Sequence, residues 1–451
     1  MMLLIFSGCS QQTSIANNKL NIELDNYVKA FNKSYSSHRI NGSIIISKDG
    51  KIVAQRNYGM ADSTENTSFT ETTKSMICST TKFFTAIAIM QLEEKGLISL
   101  NDNISKYLPK QMKGEDITIH QLLTHTSGII RDITDTGLIN PYENIPKEKL
   151  IALVNERPLL FKPGTKMSYS NAGYQLLASI IENVSGLSFE EYVNIHIFKP
   201  SGMTSTGMSF SKDYVVDIAA GYEYKYDKFV RKEPYDMSHT YGSGNIYSTA
   251  HDMYLFDKVL REGKLIKKEV LKKMIIDNTG LNSNYGYGCF VGNLKGHRWF
   301  GHPGNLNSGY FSYYLRFPDE DISITMLFNT TWNDNNSIMK AISAIALGED
   351  YKMPYKKNEI ELDKGKLDKF IGEYEPTENG SIGKITIKKE NGLLNISSGG
   401  QVIYLTPYSE MNFFDKQNEM WEHTFESDES GKIIYYILND PVDEMRFRKI
   451  N

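Results

Sequence analysis

The chain has few of the residue types that build disulfide frameworks and metal sites. Its 451 residues include three cysteines, Cys9, Cys78 and Cys289, which are too few for a disulfide framework. The nine histidines form no HExxH pattern and no Cys/His cluster, so we predict neither a metal nor another cofactor. The net charge of -4 gives no reason to expect a nucleic-acid partner. Beyond the N-terminus, no apolar run approaches the ~20 residues of a membrane span.

The N-terminus carries a short apolar run that ends in Ser7-Gly8-Cys9. This pattern resembles a bacterial lipoprotein signal, in which processing leaves the cysteine as a lipidated first residue. It departs from the usual form, because Phe6 replaces an aliphatic residue, no basic residue precedes the run, and the run is shorter than roughly 7–15 residues. The alternative is a frayed terminus with a chance cysteine. We predict that residues 1–20 are a signal and tether, with lipidation at Cys9 anchoring an exported protein to the bacterial cell membrane.

Residues 21–350 contain strand signals at both ends and helix signals between them. Two β-rich runs flank Asp49-Gly50, and two more occupy residues 310–317 and 322–328. Helical periodicity or a helix cap marks the ranges 24–35, 83–95, 249–260 and 337–347. This order predicts an α+β domain, in which an antiparallel sheet is assembled from both chain ends and flanked by helices, beside an all-helical region.

The last part of the chain changes in character. Residues 351–366 are polar and rich in Lys and Glu, which is typical of a linker. Seven short runs of β character follow, separated by turn residues such as Asn391-Gly392 and Ser430-Gly431. Their spacing of about 8–12 residues predicts that residues 367–451 form a small all-β domain, a lipocalin-like barrel or a sandwich.

The first candidate catalytic element is Ser79-Thr80-Thr81-Lys82, at the start of a predicted helix. Positions i and i+3 share a helix face, so the hydroxyl and the amine would lie side by side. A nucleophilic serine needs a neighbouring base, and a neutral lysine can provide it. Taken alone the motif is common, and a serine N-cap beside a solvated lysine is the alternative.

Two further segments carry polar groups in a suggestive order. In Tyr169-Ser170-Asn171 the tyrosine can relay protons if a lysine stabilises its phenolate, and the asparagine amide can bind a substrate carbonyl. The alternative is a turn at a helix start. In Gly301-His302-Pro303-Gly304-Asn305 the glycines allow close approach of a ligand, and an edge strand there can bind a peptide by main-chain hydrogen bonds. The alternative is a Pro-Gly turn with a surface histidine.

In this order, Ser79-x-x-Lys82, Tyr169-x-Asn171 and His302-x-Gly304 resemble the three signature elements of the penicillin-recognising serine hydrolases. That family includes the class C β-lactamases and the low-molecular-weight penicillin-binding proteins. Two framework segments, 117–128 and 242–252, resemble the same family, so the resemblance covers roughly residues 22–349. It implies an antiparallel sheet covered by helices, an all-helical region beside it, and an active site between the two.

The resemblance also implies a role for each motif residue. Ser79 attacks the substrate carbonyl, and Lys82 and Tyr169 share the general-acid and general-base work. The backbone N–H groups of Ser79 and Asn305 form an oxyanion hole. The substrate-binding residues implied are Asn171, His302, Gly304 and Asn305. His125 belongs to a framework stretch and is interpreted as structural, and Cys78 as a small buried side chain; a Cys78–Cys289 disulfide is a minor alternative.

The third element departs from the Lys-Thr-Gly that many β-lactamases carry. A histidine, mostly neutral at pH 7, replaces the fixed cation, and the threonine hydroxyl is absent. Family members with His-x-Gly include DD-carboxypeptidases, D-amino-acid-specific peptidases and esterases. We therefore predict an exported serine hydrolase that forms an acyl-enzyme, a DD-carboxypeptidase or D-amino-acid peptidase. The alternatives are an esterase or weak class C-like β-lactamase, and a catalytically idle penicillin-binding sensor. The substrate is accordingly a peptide, an ester or a β-lactam.

Overall fold

A computed structural model describes residues 7–35, 38–108, 117–209, 215, 217–331, 335–378, 382–398 and 401–450. The chain divides into two compact units, and each is described by itself. The first unit comprises Met1–Asn21 and Ile40–Thr331, and the second comprises Ile22–Arg39 and Trp332–Asn451. The domain borders expected at residues 20, 350 and 366 remain predictions.

The first helix, α1, spans Ser7–Ser34 and includes residues 10–20 of the expected tether. No proline interrupts this stretch, and its only glycine stands at the second helical position. The predicted helix over residues 24–35 is confirmed apart from its last residue, with Leu24, Tyr27 and Phe31 buried. The side chain of the predicted lipidation site, Cys9, lies outside the described part. No helix in the described ranges is both long and apolar enough to cross a membrane.

The first unit is built from strands and helices that alternate irregularly along the chain. Its strands are β1 (Gly42–Lys48), β2 (Lys51–Tyr58), β3 (Met60–Asp62), β4 (Thr67–Ser68), β5 (Ser75–Met76), β6 (Gly207–Met208), β7 (Tyr222–Lys225), β8 (Lys228–Arg231), β9 (Ile246–Ser248), β10 (Phe290–Leu294), β11 (His297–Leu306), β12 (Tyr310–Phe317) and β13 (Ile322–Phe328). Its helices after α1 are α2 (Thr81–Glu94), α3 (Ile119–Leu123), α4 (Lys147–Asn155), α5 (Asn171–Ser185), α6 (Phe189–Val193), α7 (Lys199–Ser201), α8 (Ala250–Arg261) and α9 (Lys268–Met274).

The main sheet joins the two ends of this unit, as predicted. Its six strands lie in the order β10-β11-β12-β13-β1-β2, and all neighbours are antiparallel. Strand β1 pairs with β13, so that Ile45 faces Thr325 across the sheet. The β1–β2 hairpin turns at Asp49 and Gly50, whose φ angles of 54° and 71° are those of the two central residues of a type I′ turn.

Helix α2 is the central helix of the first unit. Every residue from Thr81 to Leu92 is buried, so the helix is surrounded by the core on all sides. Its aromatic residues pack tightly, and the ring centroids of Phe84 and Phe256 lie 4.4 Å apart. The helix ends before Gly96, whose φ of 69° suits a glycine. A lysine in the first turn of such a helix is forced out of water.

The second unit consists of helical segments and a closed barrel. Helix α10 spans Asn335–Leu347, in agreement with the prediction from residue 337. The barrel strands are β14 (Gly372–Pro376), β15 (Ile385–Glu390), β16 (Leu393–Ser398), β17 (Gln401–Pro407), β18 (Asn412–Asp415), β19 (Asn418–Ser427), β20 (Ile433–Asn439) and β21 (Glu444–Lys449). They pair in sequence order, and β14 closes the barrel against β21. The predicted fold class, α+β followed by a small barrel, is confirmed.

Candidate active site

Ser79 is presented by a sharp turn just ahead of α2. It lies in a one-turn 3-10 helix, Cys78–Thr80, that leads directly into the α-helix. Cys78 adopts a φ of 49°, a left-handed conformation that costs a non-glycine residue about 1 kcal/mol or more. The buried thiol of Cys78 donates to the carbonyl of Met76 at 3.5 Å. The surrounding core thus holds a strained backbone next to the serine.

Lys82 points back to Ser79, as the i, i+3 spacing predicts. Its fully buried Nζ lies 3.2 Å from Ser79 Oγ, 2.7 Å from Asn171 Oδ1 and 2.8 Å from the carbonyl oxygen of Ser243. The last two atoms only accept hydrogen bonds, and they match the two N–H groups of a neutral amine. The remaining tetrahedral direction of the nitrogen, where its lone pair then lies, faces the serine hydroxyl. The geometry therefore suits removal of the Ser79 proton by a neutral Lys82.

Burial adjusts the lysine for this role. It lowers the pKa of Lys82 to about 7, since the charged form loses its hydration. The carboxylate of Asp132 opposes this shift in pKa, whereas the nearby Arg131 guanidinium adds to it. At neutral pH a substantial fraction of the amine is therefore unprotonated and able to act as a base.

Tyr169 lies against the same lysine, but it is not poised as a phenolate. Lys82 Nζ is 4.8 Å from the centre of the tyrosine ring, and the Arg131 guanidinium is 5.6 Å from it. Burial nevertheless raises the pKa of Tyr169, although a hydrogen bond with Ser79 acts in the opposite direction. Lys82 therefore does not stabilise a phenolate at Tyr169, which was the condition for a proton relay through this tyrosine. Tyr169 keeps its proton and is suited to donate it.

Asn171 is fixed from two sides. Its Oδ1 accepts from Lys82, and its Nδ2 donates to Asp132 Oδ2 at 2.7 Å. Asn171 opens helix α5, and the Ser170 hydroxyl caps that helix by accepting from the Gly173 N–H at 2.9 Å. An amide nitrogen carries two N–H groups, so Asn171 can keep its bond to Asp132 and still donate to a substrate carbonyl.

Strand β11 brings the third motif, His302-Pro303-Gly304, next to the turn Cys78–Thr80, which is called the nucleophile turn below. The Thr80 hydroxyl donates to the carbonyl of His302 at 3.0 Å. A side chain at position 304 would overlap the carbonyl of Ile77 and the Cβ of Cys78, so only glycine allows this approach. Asn305, next along the strand, is exposed.

His302 is not the surface histidine of the alternative interpretation. It is 1% exposed, its Nε2 lies 3.2 Å from the hydroxyl of Tyr285, and burial lowers its pKa to about 3. The ring is therefore neutral at physiological pH, and this element supplies no cation to the site.

His125 lies in an aromatic cluster behind the site. Its Nδ1 accepts from the Ser170 N–H at 3.0 Å, and its ring centroid is 4.4 Å from that of Tyr169 and 4.7 Å from that of Tyr285. Burial holds its pKa well below 6.5. These contacts favour the structural interpretation, in which His125 supports the tyrosine.

Cys78 and Cys289 are both buried free thiols, so the disulfide weighed above is not formed. Burial raises the pKa of each thiol, which keeps them protonated and unreactive. In the described ranges, no group of three or more His, Cys, Asp or Glu side chains could hold a metal ion.

Three groups around the lysine were not found by motif analysis. Arg131 and Asp132 follow the 117–128 framework segment after two isoleucines. This charged pair behind an apolar stretch was the available signal in the sequence. Ser243 contributes only its backbone carbonyl, which no residue type reveals. The motif residues Ser79, Lys82, Tyr169 and Asn171 are brought together, and His302 and Gly304 lie on the strand beside the turn. Their catalytic and binding roles remain predictions.

A serine paired with a buried lysine at the start of a central helix, beside an antiparallel sheet, defines a serine hydrolase of the penicillin-binding protein and β-lactamase fold. The comparisons with known proteins agree. The family model described as Beta-lactamase matches residues 24–346, and the chain belongs to this family.

The similar proteins include two from Bacillus subtilis (strain 168). The chain is 37% identical to one named as a penicillin-binding protein, PbpX, over 60% of this chain and 65% of that protein. It is 28% identical to penicillin-binding protein 4* over 84% of this chain and 88% of that one. Among solved structures, the octameric penicillin-binding protein homologue from Pyrococcus abyssi matches with a TM-score of 0.63 and 26% identity, over 96% of this chain and 99% of the other.

Proposed function

We propose that this chain is an exported DD-carboxypeptidase or D-amino-acid peptidase that works through an acyl-enzyme on Ser79. The observation that carries the proposal is the Ser79–Lys82 pair, in which a buried amine with a pKa of about 7 lies 3.2 Å from the hydroxyl. A protein that forms no acyl-enzyme would have no use for a lysine held in its basic form, and turnover of a peptide distinguishes a hydrolase from a sensor that is only acylated.

In the proposed reaction, neutral Lys82 takes the Ser79 proton while Oγ bonds to the substrate carbonyl carbon. The C–N bond of the substrate breaks, and Tyr169 gives its proton to the leaving amine. The proton on Lys82 then returns the phenol to its neutral form. Water attacks the ester by the reverse sequence and releases the acid.

The preference for a substrate with a carboxylate end rests on Arg131. His302 is neutral, so the third motif offers no counter-charge. Arg131 is exposed, and its guanidinium lies 5.6 Å from the centre of the Tyr169 ring. A guanidinium at this place suits bidentate binding of a peptide C-terminus. If Arg131 does not serve this purpose, a neutral ester is the better substrate, and esterase is the second candidate function.

Export and lipid anchoring at Cys9 are part of the proposal and rest on the Ser7-Gly8-Cys9 pattern. Labelling of cells with a radioactive fatty acid tests them. We expect label on the wild-type chain and none on Cys9→Ala; equal labelling of both would rule out this anchor.

The function is tested with a fluorescent penicillin, a D-Ala-D-Ala peptide and a nitrophenyl ester. We expect wild-type protein to gain the mass of the acyl group and to release D-alanine from the peptide. Ser79→Ala should lose both activities by several orders of magnitude, whereas Ser105→Ala, an exposed serine, should retain them. Adduct formation on Ser79→Ala at the wild-type rate would disprove the nucleophile. Ester turnover without peptide turnover would select the esterase.

A further inference from the structure

The barrel of the second unit contains a cavity of about 300 Å³ that is partly open. An eight-stranded barrel is just wide enough to be filled by side chains or to hold one small ligand. Here a wide space is left, at the lower end of the range for ligand pockets. The apolar lining includes Ile385, Ile396, Ile403, Trp421, Leu438 and Phe447. Such a lining favours an apolar occupant.

Part of the lining is polar, and two of its atoms have no hydrogen-bond partner among the described residues. His423 is 3% exposed, and its Nδ1 lies 2.8 Å from the buried hydroxyl of Tyr436. If the phenol donates this bond, Nε2 carries the imidazole proton, and it has no acceptor among the described residues. Asn418 Oδ1 is likewise buried without a donor in the same part of the chain. Unmet groups of this kind are costly unless a ligand or water satisfies them.

The third polar group of the lining is an acid. Asp415 lines the cavity, and its Oδ1 accepts from the Gln417 N–H at 2.8 Å. Among the described residues no lysine or arginine lines the cavity, although the charge of Lys357 reaches His423. Burial, and to a lesser extent this charge, lowers the pKa of His423 to about 3, so that this side chain is neutral. With the His423 proton on Nε2, the cavity offers two acceptors, one of them acidic, and one donor. An anionic head group such as that of a fatty acid meets no counter-charge among the described side chains that line the cavity.

We propose that this barrel cavity binds a small apolar molecule whose head group carries a protonated amine and a neighbouring hydroxyl. The amine donates to Asp415 and to Asn418 Oδ1, and the hydroxyl oxygen accepts from His423 Nε2–H. The volume equals that of about ten waters, which suits roughly ten to fifteen non-hydrogen atoms. The site is separate from the serine chemistry and does not depend on the proposed function.

Calorimetric titration of the full chain with phenylalaninol tests the proposal, with 3-phenylpropionate as the anionic comparison. We expect saturable binding of the amino alcohol and binding of the acid that is weaker by about tenfold or more. Asp415→Asn should weaken phenylalaninol binding by about tenfold, because it removes the charge and keeps the shape. Glu429→Gln, an exposed acid in the same unit, is the matched control and should bind like wild type.

Two tryptophan variants on β16 locate the site. Ile396 lines the cavity, whereas Leu393 on the same strand is 45% exposed. Ile396→Trp should abolish binding, and Leu393→Trp should leave it unchanged, with folding checked by circular dichroism. If Ile396→Trp does not fold, Asp415→Asn decides. The proposal is overturned if wild type binds no phenylalaninol, if the acid binds equally well, or if Asp415→Asn or a folded Ile396→Trp binds like wild type.

Discussion

The pH dependence of kcat/KM should be set by Lys82 and should move in opposite directions when its two charged neighbours are neutralised. In the proposed mechanism the free enzyme acylates through the unprotonated lysine, whose pKa is about 7. About a tenth of the lysine is then in the active form at pH 6, and about nine tenths at pH 8. The wild-type rate should therefore rise across this interval and level off above it.

Asp132→Asn removes a negative charge and keeps an oxygen that can accept from Asn171. The Asp132 carboxylate is connected to Lys82 Nζ through the side-chain amide of Asn171, by one hydrogen bond of 2.7 Å on each side. The distance between the two charges is therefore at most about 8 Å. At an effective dielectric constant of about 20–40, their attraction is about 1–2 kcal/mol. This attraction favours the ammonium, so its loss should lower the Lys82 pKa and move the limb of the profile down by about one pH unit.

Arg131→Gln is the opposite test. The guanidinium lowers the Lys82 pKa, so its removal should move the limb to higher pH. Arg131 is exposed, so solvent and salt screen its charge, and the shift should be smaller than that of Asp132→Asn. Arg131→Lys keeps the charge and should leave the limb in place, whatever it does to peptide binding.

Initial rates with a nitrophenyl ester at low concentration, between about pH 5 and 9, give these profiles. An ester without a carboxylate separates the pKa of the base from the binding of a substrate terminus. If both neutral variants shifted the limb in the same direction, or neither moved it, Lys82 would not be the base. If His302→Gln abolished the rise of kcat/KM with pH, His302 would be the catalytic base instead of Lys82.

Three further predictions concern the same site. The pKa of Lys82 is about 7 in the folded protein and about 10.4 in the unfolded chain. The free energy of unfolding should therefore rise with pH between these values, and denaturant titrations of Lys82→Met should show less of this rise. Lys82→Ala and Tyr169→Phe should each cost much of the rate, and the double variant should cost little more than the worse single one; a Tyr169→Phe variant of normal kcat/KM would contradict the mechanism. Gly304→Ala should destabilise the protein by about 1–3 kcal/mol in thermal melts and slow its acylation by fluorescent penicillin, because the added methyl group would overlap the nucleophile turn. A variant with the stability and the acylation rate of wild type would show that β11 does not support this turn.

Local spacing explains which parts of the site could be predicted. The contact between Ser79 and Lys82 follows from helix geometry alone, since both side chains lie on one face of the first turn. The hydrogen bond from Asn171 Nδ2 to Asp132 Oδ2 depends on the conformation of the loop that carries Asp132. No periodicity in the sequence predicts this conformation. The order of motifs located Tyr169, but the direction of its pKa shift depends on how completely the fold removes water.

One strand of the barrel also could not be predicted from local sequence. The seven predicted runs all correspond to strands, whereas the first strand, Gly372–Pro376, was missed. Its sequence Gly-Glu-Tyr-Glu-Pro has a single large apolar residue, Tyr374, and ends in a proline. Pairing with two neighbours, β15 and β21, makes it a strand where propensity alone does not.

The pairing of β1 with β13 has a consequence for the time at which the enzyme becomes active. Asn41 directly precedes β1 and Asn329 directly follows β13; they are 288 residues apart, and their side chains meet at 2.5 Å. Strand β1 can pair with β2 at once, but its other neighbour, β13, is made only when almost the whole unit has been synthesised. The serine and the lysine are made early, in the 3-10 turn and in the first turn of α2, but the strand that carries Gly304 is added near the end. Contacts of such long range make folding slow. The nascent chain therefore carries its nucleophile for most of its synthesis without the sheet that completes the site.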